Sequence, residues 1–235
     1  MRIQLLKTKA PATVKNVLEL LRRIANFAEK KKLCKGLGFT IEMPRVNSIR
    51  TEDLTPKQLK NLLEAIQKDA HPHAGPLMLM ALYCGMRRGE LFKLKWKDID
   101  FERGFINLVD PKGGPNQIIP MNDMAKEVLQ SLPITKSSYV FPGRGGKQRT
   151  DIKIPVNRIK KKAGLPKDFR PLHGLRHTYA SMLASSGEVD MYTLQKLLTH
   201  KSPLMTQRYA HLRDEALRRA SNLAGEIVEQ AINGK

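Results

Sequence analysis

The chain has 235 residues, of which 41% are hydrophobic, enough to bury the core of one globular domain with a smaller segment attached. Its 42 lysine and arginine residues outnumber 22 aspartate and glutamate residues, which gives a formal net charge of +20. Such an excess favours a polyanionic partner, and nucleic acid ahead of an anionic membrane surface, because neutralised phosphates release counterions.

Residues 1–50 are the most basic part, with twelve lysine or arginine residues and three glutamates. Apolar residues recur at helical spacing and predict one amphipathic helix over residues 13–32, with a linker at 40–50. We expect this part either to pack on the remainder or to be the end of a preceding domain. No signal peptide and no apolar run of about 18 residues is present, which argues against membrane association. Two isolated cysteines, Cys34 and Cys84, then predict a cytoplasmic protein.

From residue 51 the pattern becomes that of a folded domain. Thr55, Pro56 and Gln58 have the spacing of a capping box at the start of a helix. Residues 77–84, LMLMALYC, predict a fully buried helix that ends at Gly85. Residues 85–100 predict a tight turn and a short helix.

Residues 96–121 read as three short antiparallel strands, with turns at Asp100–Gly104 and at residues 111–115. Helices dominate again after Asn122. We therefore predict a mainly α, α+β fold over residues 51–235, a helical domain with a small three-stranded antiparallel sheet. The later helices are predicted at 122–131, about 154–163, 173–185, 190–199, 203–212 and 214–231.

The stretch RPLHGLRHTYAS, residues 170–181, sets His173, Arg176 and His177 within one helical turn. A metal site would need a carboxylate base and a third ligand, and Arg176 would repel a divalent cation, so we expect no metal. A phosphate clamp suits a helix N-terminus carrying an arginine. From this stretch alone, the phosphate clamp and a solvated cationic helix start remain equal alternatives.

Two other stretches favour the phosphate clamp. CGMRRGEL, residues 84–91, ends a buried helix with glycine and brings Arg87 out at the break, which is costly without an anionic partner. LLTHKSPLMTQRYAHL, residues 197–212, sets His200 after an apolar helix and Tyr209 in the next helix.

Together these residues resemble the tyrosine recombinase (phage integrase) family over roughly residues 51–212. The family's arginine box, T-G-x-R-x-x-E, matches residues 84–90, CGMRRGE, and its H-x-x-R box matches His173 to Arg176. Its leucine–glycine–histidine box matches residues 198–200, LTH. The residues that take the family's catalytic positions are Arg87, Lys112 in the hairpin turn, His173, Arg176, His200 and Tyr209.

Two departures from the family pattern stand out. Thr199 replaces the common glycine, which we expect to be tolerated through a negative backbone φ. The loop after Lys112, GGPNQ, lacks the basic residues often found there, so Lys93, Lys95 and Lys97 remain alternatives for the family's lysine.

The resemblance implies strand breakage and rejoining in double-stranded DNA through a covalent 3′-phosphotyrosyl intermediate, with no cofactor. Arg87 and Arg176 would neutralise the phosphate, and His200 would hydrogen-bond it. Tyr209 would attack, with His173 as base and Lys112 as acid for the departing 5′-oxygen. We expect Glu90 to orient a neighbour or cap a helix, and His177 to make a structural hydrogen bond.

The resemblance also implies roles in DNA integration and recombination by phages or other mobile elements. The last helix would either pack on its own domain or be exchanged in a homotetramer on DNA. Residues 1–50 would be a one-helix remnant of a core-binding domain with its linker, so this chain alone should bind DNA weakly and recombine slowly. The alternatives are a type IB topoisomerase that relaxes DNA, and a DNA-binding relic without turnover.

Overall fold

The computed structural model describes residues 2–46, 52–109, 115–133 and 135–232, with the side chains of 213–216 left aside. The chain divides into two compact units, Met1–Arg50 and Thr51–Lys235. Among the described residues, no helix combines the length and the apolar character needed to cross a membrane.

The first unit contains two helices, α1 (Arg2–Thr8) and α2 (Pro11–Lys30). α2 corresponds to the helix predicted over 13–32 and begins earlier because Pro11 occupies its first turn, where a missing N–H costs nothing. α1 was not predicted. Several apolar side chains of α2 are exposed, namely Val17, Leu20, Ile24 and Phe27.

The second unit is mainly helical, as predicted. Short 3₁₀ helices at Trp96–Asp98, Arg144–Gly146 and Gln207–Arg213 join its α-helices. The α-helices are α3 (Pro56–Gln67), α4 (Ala74–Tyr83), α5 (Arg88–Lys93), α6 (Asp123–Gln130), α7 (Lys153–Lys162), α8 (Pro171–Ser186), α9 (Met191–Leu197), α10 (Pro203–Thr206) and α11 (Asp214–Ile232).

The three predicted strands form one antiparallel sheet in the order β1-β2-β3. They are β1 (Ile99–Asp100), β2 (Phe105–Leu108) and β3 (Gln117–Pro120). Ile106 pairs with Ile99 on one side and with Ile119 on the other, so one face of the sheet is a buried row of isoleucines. The mainly α, α+β prediction is confirmed.

Local sequence signals account for several helix ends. At α3, the Thr55 side chain accepts from the Gln58 backbone N–H at 3.3 Å, and the Gln58 side chain accepts from the Thr55 N–H at 3.0 Å. This is the predicted capping box. α4 is buried along almost its whole length and packs against α6, α7 and α8.

Two clusters of buried side chains hold the second unit together. The larger cluster surrounds α4 and the sheet. The smaller one joins α8, α9 and the 3₁₀ helix Gln207–Arg213 through Ala180, Ala184, Leu194, Leu198 and Tyr209. The junction of these clusters brings the ends of α4, α8 and α9 together.

Candidate active site

α8 carries three of the functional side chains on one face. His173, Arg176 and His177 stand at positions i, i+3 and i+4, which is the spacing of neighbours on a helix surface. Arg176 and His177 are only 5% and 3% exposed, whereas His173, in the first turn, is exposed. On this helix face, His173 is therefore open to solvent, whereas Arg176 and His177 are enclosed within the domain.

The guanidinium of Arg176 is held by two backbone carbonyl groups. Its Nη1 donates to the Gly85 carbonyl at 2.5 Å, and its Nη2 donates to the Leu198 carbonyl. Burial, followed by the nearby charge of Arg87, lowers the pKa of Arg176 to about 10, so the group remains a cation at neutral pH.

Arg87 lies at the start of α5 and shares a carboxylate with Arg176. Glu90 accepts from the Arg87 backbone N–H and from Arg87 Nη1, both at 2.7 Å. The same carboxylate lies 4.0 Å from Arg176 Nη1. Glu90 thus caps α5 and orients Arg87, which confirms both parts of its prediction. Two guanidinium groups share this one carboxylate and leave an excess of positive charge.

The C-terminal end of α9 binds both arginines. The Thr199 N–H donates to the Lys196 carbonyl at 2.9 Å and the His200 N–H to the Gln195 carbonyl at 3.0 Å, the two bonds of a Schellman motif. This motif requires a left-handed residue, and Thr199 has φ of 51°. The expected negative φ at Thr199 is therefore wrong, because α9 ends at Leu197 and Thr199 is the left-handed residue that follows its C-cap, Leu198.

Thr199 uses two of its oxygens to hold Arg87. Its Oγ1 accepts from Arg87 Nη1, and its carbonyl accepts from Arg87 Nη2 at 3.1 Å. The preceding carbonyl, that of Leu198, accepts from Arg176. Two consecutive carbonyl groups at the negative end of α9 therefore contact the two guanidinium groups. This role of residues 198 and 199 was not predicted from the sequence.

Tyr209 is almost fully enclosed, with 2% of its surface exposed. Its Oη lies 2.5 Å from His177 Nδ1, and His177 Nε2 lies 3.0 Å from His173 Nε2. His177, expected to be structural, therefore stands between the tyrosine and the histidine that the sequence proposed as its base.

Burial shifts the pKa values of these groups towards their neutral forms. Desolvation is the main cause for each histidine, and lowers the pKa of His177 to about 3, of His200 to about 3 and of His173 to about 4. Arg170 adds to the shift at His173. Burial raises the pKa of Tyr209, while the charges of Arg208 and Arg176 oppose that rise. A proton acceptor beside Tyr209 is thus neutral at physiological pH.

His200 follows Thr199 at the same end of α9. Its Nδ1 forms a 2.8 Å hydrogen bond with Thr206 Oγ1, which fixes the ring relative to α10. The charges of Arg176 and Arg87 both contribute to its lowered pKa, so the imidazole lies near the arginine pair.

A cleft of about 490 Å³ opens beside Arg87. Its lining includes Asn107 and Gln117 of the sheet and Thr199 after α9. Four lysines line it, namely Lys93, Lys95, Lys97 and Lys201. Such a cationic cleft suits a polyanionic backbone.

The chain is similar to known proteins both in sequence and in fold. The sequence profile of the phage integrase family matches residues 52–216. The chain belongs to the phage integrase family. A tyrosine recombinase XerC of Xanthomonas axonopodis pv. citri is 34% identical over 175 residues, which cover 67% of this chain and 56% of the relative. This phage integrase family member thus spans about half the length of that relative.

Another family relative and two solved structures extend the comparison. Tyrosine recombinase XerA of Pyrococcus furiosus is 32% identical over 199 residues, 82% of this chain and 68% of the relative. The Tn1549 transposon integrase in complex with a circular intermediate DNA has a TM-score of 0.77 at 22% identity, covering 94% of this chain and 82% of that one. XerH recombinase bound to a difH substrate has a TM-score of 0.72 at 23% identity, covering 92% of this chain and 68% of that one. These two structures share the fold.

Five of the six predicted site residues of this phage integrase family member fall within the described residues. Arg87, Arg176 and His200 meet at the end of α9, and His173 and Tyr209 are joined through His177. Lys112 lies outside the described residues. The alternatives Lys93, Lys95 and Lys97 all line the cleft beside Arg87.

Proposed function

We propose that this chain is the catalytic part of a site-specific recombinase, which breaks and rejoins DNA strands through a covalent bond between Tyr209 and a 3′-phosphate. The observation that carries this proposal is the arginine pair around one carboxylate, next to an enclosed tyrosine. The unbalanced positive charge calls for an anion, and a phosphodiester supplies one. The relatives XerC and XerA are tyrosine recombinases, and the related structures of the Tn1549 integrase and XerH contain DNA.

The arginines account for the electrostatic part of the reaction. The transition state of phosphodiester cleavage gathers negative charge on the non-bridging oxygens, and Arg87 and Arg176 stabilise it. Their anchoring on Glu90 and on the end of α9 fixes both groups before substrate arrives, so little reorganisation is needed. This electrostatic stabilisation requires neither a metal nor a cofactor.

Proton transfers complete the reaction. Tyr209 attacks phosphorus, and its proton goes to a neutral histidine, with His173 as the base. His200 hydrogen-bonds the phosphate. The departing 5′-oxygen takes a proton from Lys112, with Lys93, Lys95 and Lys97 as alternatives. The phosphotyrosyl ester retains the energy of the broken bond, so rejoining needs no nucleoside triphosphate.

We also propose that the enzyme works as a homotetramer on double-stranded DNA, with α11 packing on a neighbouring protomer. α11 is 19 residues long, and a row of its apolar side chains is exposed, including Leu217, Leu223, Ile227 and Val228. An uncovered apolar row of this length fits a protein partner. Residues 1–50, with the exposed apolar side chains of α2, belong in this proposal to a helical DNA clamp.

The cellular compartment follows from the cysteines in this proposal. Both Cys34, which is exposed, and Cys84, which is buried, are free. Free thiols fit a reducing compartment. We propose that the chain acts in the cytoplasm.

The first experiment finds the DNA and tests cleavage together. The protein is incubated with a pool of nicked duplexes of random sequence, in which a cleaved strand loses the fragment needed for religation. Covalent adducts are isolated under denaturing conditions and sequenced. We expect adducts enriched in one sequence, and none with Tyr209→Phe. Absence of any adduct with the unsubstituted protein would overturn the proposal.

A second experiment separates recombination from relaxation. A plasmid carrying two copies of the enriched sequence is compared with a plasmid carrying none. A recombinase exchanges strands between the two copies, whereas a type IB topoisomerase relaxes both plasmids equally. Equal relaxation without exchange would replace the proposed recombinase with a topoisomerase.

A further inference from the structure

Tyr209, His177 and His173 form a continuous chain of hydrogen-bonding atoms. Tyr209 Oη lies 2.5 Å from His177 Nδ1, and the opposite nitrogen of the same ring lies 3.0 Å from His173 Nε2. The rings of His173 and His177 are perpendicular, with their centroids 4.5 Å apart. Each contact is within hydrogen-bond range, so one imidazole links the phenol to the other imidazole.

The protonation of His177 follows from these contacts. A neutral imidazole carries one N–H and one acceptor nitrogen. Tyr209 can donate its proton to Nδ1 only when His177 carries its own proton on Nε2, and that nitrogen faces His173 Nε2. In this arrangement every bond in the chain points from the tyrosine towards His173.

Burial explains why one histidine would not be enough. His177 is 3% exposed, and its desolvation makes a lasting positive charge there unfavourable. His173 lies at the outer end of the same helix face, where its side chain is more exposed and its pKa is lowered less, to about 4. A proton taken from Tyr209 is therefore better held on His173 than on His177.

We propose that His177 is a further catalytic residue, which accepts the phenolic proton of Tyr209 and passes a proton to His173. The inference rests on the proposed recombinase function and replaces direct transfer from Tyr209 to His173 with a relay. It assigns to His177 a chemical role where the sequence predicted a structural hydrogen bond.

The relay balances in both directions. The Tyr209 O–H bond breaks and a bond from that proton to His177 Nδ1 forms, while His177 Nε2 releases its proton to His173 Nε2. His177 ends neutral in its other tautomer, His173 becomes an imidazolium, and the Tyr209 oxygen attacks phosphorus as the bond to the 5′-oxygen breaks. Rejoining reverses these steps and returns the proton to Tyr209.

The test compares His177→Asn with His177→Phe in single-turnover adduct formation on the enriched nicked duplex. Asparagine places a polar atom near the position of Nδ1 and keeps a hydrogen bond to Tyr209, but it cannot relay a proton. We expect both variants to form adduct about 10²-fold more slowly, since general-base catalysis contributes about 10²–10⁴-fold. A fluorinated tyrosine at position 209 provides the decisive readout, because its more acidic phenol depends less on a base.

We expect the fluorinated tyrosine to restore most of the lost rate in His177→Asn and to change the rate of the otherwise unaltered protein little. His200→Asn is the matched control. It is the same substitution at a histidine whose ring hydrogen-bonds Thr206, whereas the Tyr209 hydroxyl hydrogen-bonds His177, so fluorination should not rescue it.

The outcomes separate the relay from its alternatives. An unchanged rate in His177→Asn would return His177 to a structural role. A faster rate would mean that the hydrogen bond from Tyr209 to His177 holds the tyrosine in an unreactive position. A slow rate that fluorination does not restore would mean that His177 positions Tyr209 without taking its proton. Each of these results overturns the relay. Absence of any adduct with the unsubstituted protein would instead contradict the proposed function.

Discussion

Thr199 is the residue at which this chain departs most clearly from the family pattern. A β-branched residue at φ of 51° is strained, and glycine is the usual residue at this position of a Schellman motif. The Thr199 side chain and carbonyl together hold Arg87. A bond to a charged guanidinium offsets the strain that glycine would avoid.

Two substitutions at Thr199 separate strain from hydrogen bonding. Thr199→Val keeps the branched shape and the strain but loses the hydroxyl, so we expect destabilisation by about 1.5–3 kcal/mol. Thr199→Gly loses the same bond but relieves the left-handed strain, so it should be more stable than Thr199→Val by about 1 kcal/mol. Denaturant unfolding measures the difference. Equal stability of the two variants would show that φ at residue 199 costs nothing.

The lowered pKa of His177 predicts how stability depends on pH. An ordinary histidine pKa is near 6.5, so below that pH the unfolded chain binds a proton that the folded chain, with a pKa of about 3, does not. Stability contributed by neutral His177 is complete above about pH 6.5 and is lost as pH falls towards 3. We expect a loss of about 2 kcal/mol between pH 7 and pH 5 from this residue.

The comparison for this effect is His177→Asn, which cannot titrate in that range. Between pH 7 and pH 5, the free energy of unfolding should fall by about 2 kcal/mol less in the variant than in the wild type. Parallel pH profiles for the two proteins would mean that His177 titrates normally in the folded state.

At the scale of elements, the C-terminal ends of two helices, α4 and α9, hold the arginine pair. The carbonyl groups at the end of α9 and the carbonyl of Gly85 after α4 hold Arg176 and Arg87. Gly85 has φ of 61°, and a Cβ there would lie 2.6 Å from the Tyr179 ring. Glycine is required here both by backbone conformation and by the close approach of α8.

Gly85→Ala should therefore destabilise the protein by more than about 1 kcal/mol and slow adduct formation by shifting the carbonyl that binds Arg176. Gly89→Ala is the matched control, because Gly89 lies in α5 with nothing within 4 Å of an added Cβ. The control should be neutral or stabilising by about 0.5–1 kcal/mol. Thermal unfolding of the two variants tests the contrast, and equal losses would contradict it.

The sequence predicted those parts of the site that depend on local signals. The capping box of α3 and the capping of α5 by Glu90 each lie within one helical turn, where the sequence pattern indicates them. Thr199 was missed because the helix predicted over 190–199 extended past its true end at Leu197, which hid the left-handed position.

Other features depend on packing between distant parts of the chain. The bond between His177 and Tyr209 joins residues 32 apart, and no periodicity indicates which ring nitrogen meets the phenol. The hydrogen bond from Arg176 to Leu198 is accepted by a backbone carbonyl, which has no signature in the side-chain pattern. Such contacts become visible only when α8, α9 and the 3₁₀ helix Gln207–Arg213 are brought together.

At the scale of the whole molecule, the net charge and α11 are the features that support the proposed assembly on DNA. The net charge of +20 opposes self-association of the free chain, and DNA would neutralise it. α11 also contacts its own unit, since Arg219 Nη2 donates to the Ser186 carbonyl at 2.8 Å. Its exposed apolar row is the part available to a neighbouring protomer.

Ile227→Glu should weaken the homotetramer on DNA without loss of the fold. Ile227 is 57% exposed, so we expect the free energy of unfolding to change by no more than about 0.5 kcal/mol. Asn222→Glu adds the same charge at an exposed polar position of α11 and serves as the control. Sedimentation of each variant with the enriched duplex measures assembly. Equal assembly by both variants would remove α11 from the interface.

The central claim is that Tyr209 becomes covalently joined to DNA. Its most direct test is mass spectrometry of the adduct formed on the enriched nicked duplex, after digestion of both protein and DNA. We expect one modified peptide, which carries a nucleotide 3′-phosphate on Tyr209 and is absent from Tyr209→Phe. A nucleotide attached to any other residue, or an adduct that persists in Tyr209→Phe, would contradict it.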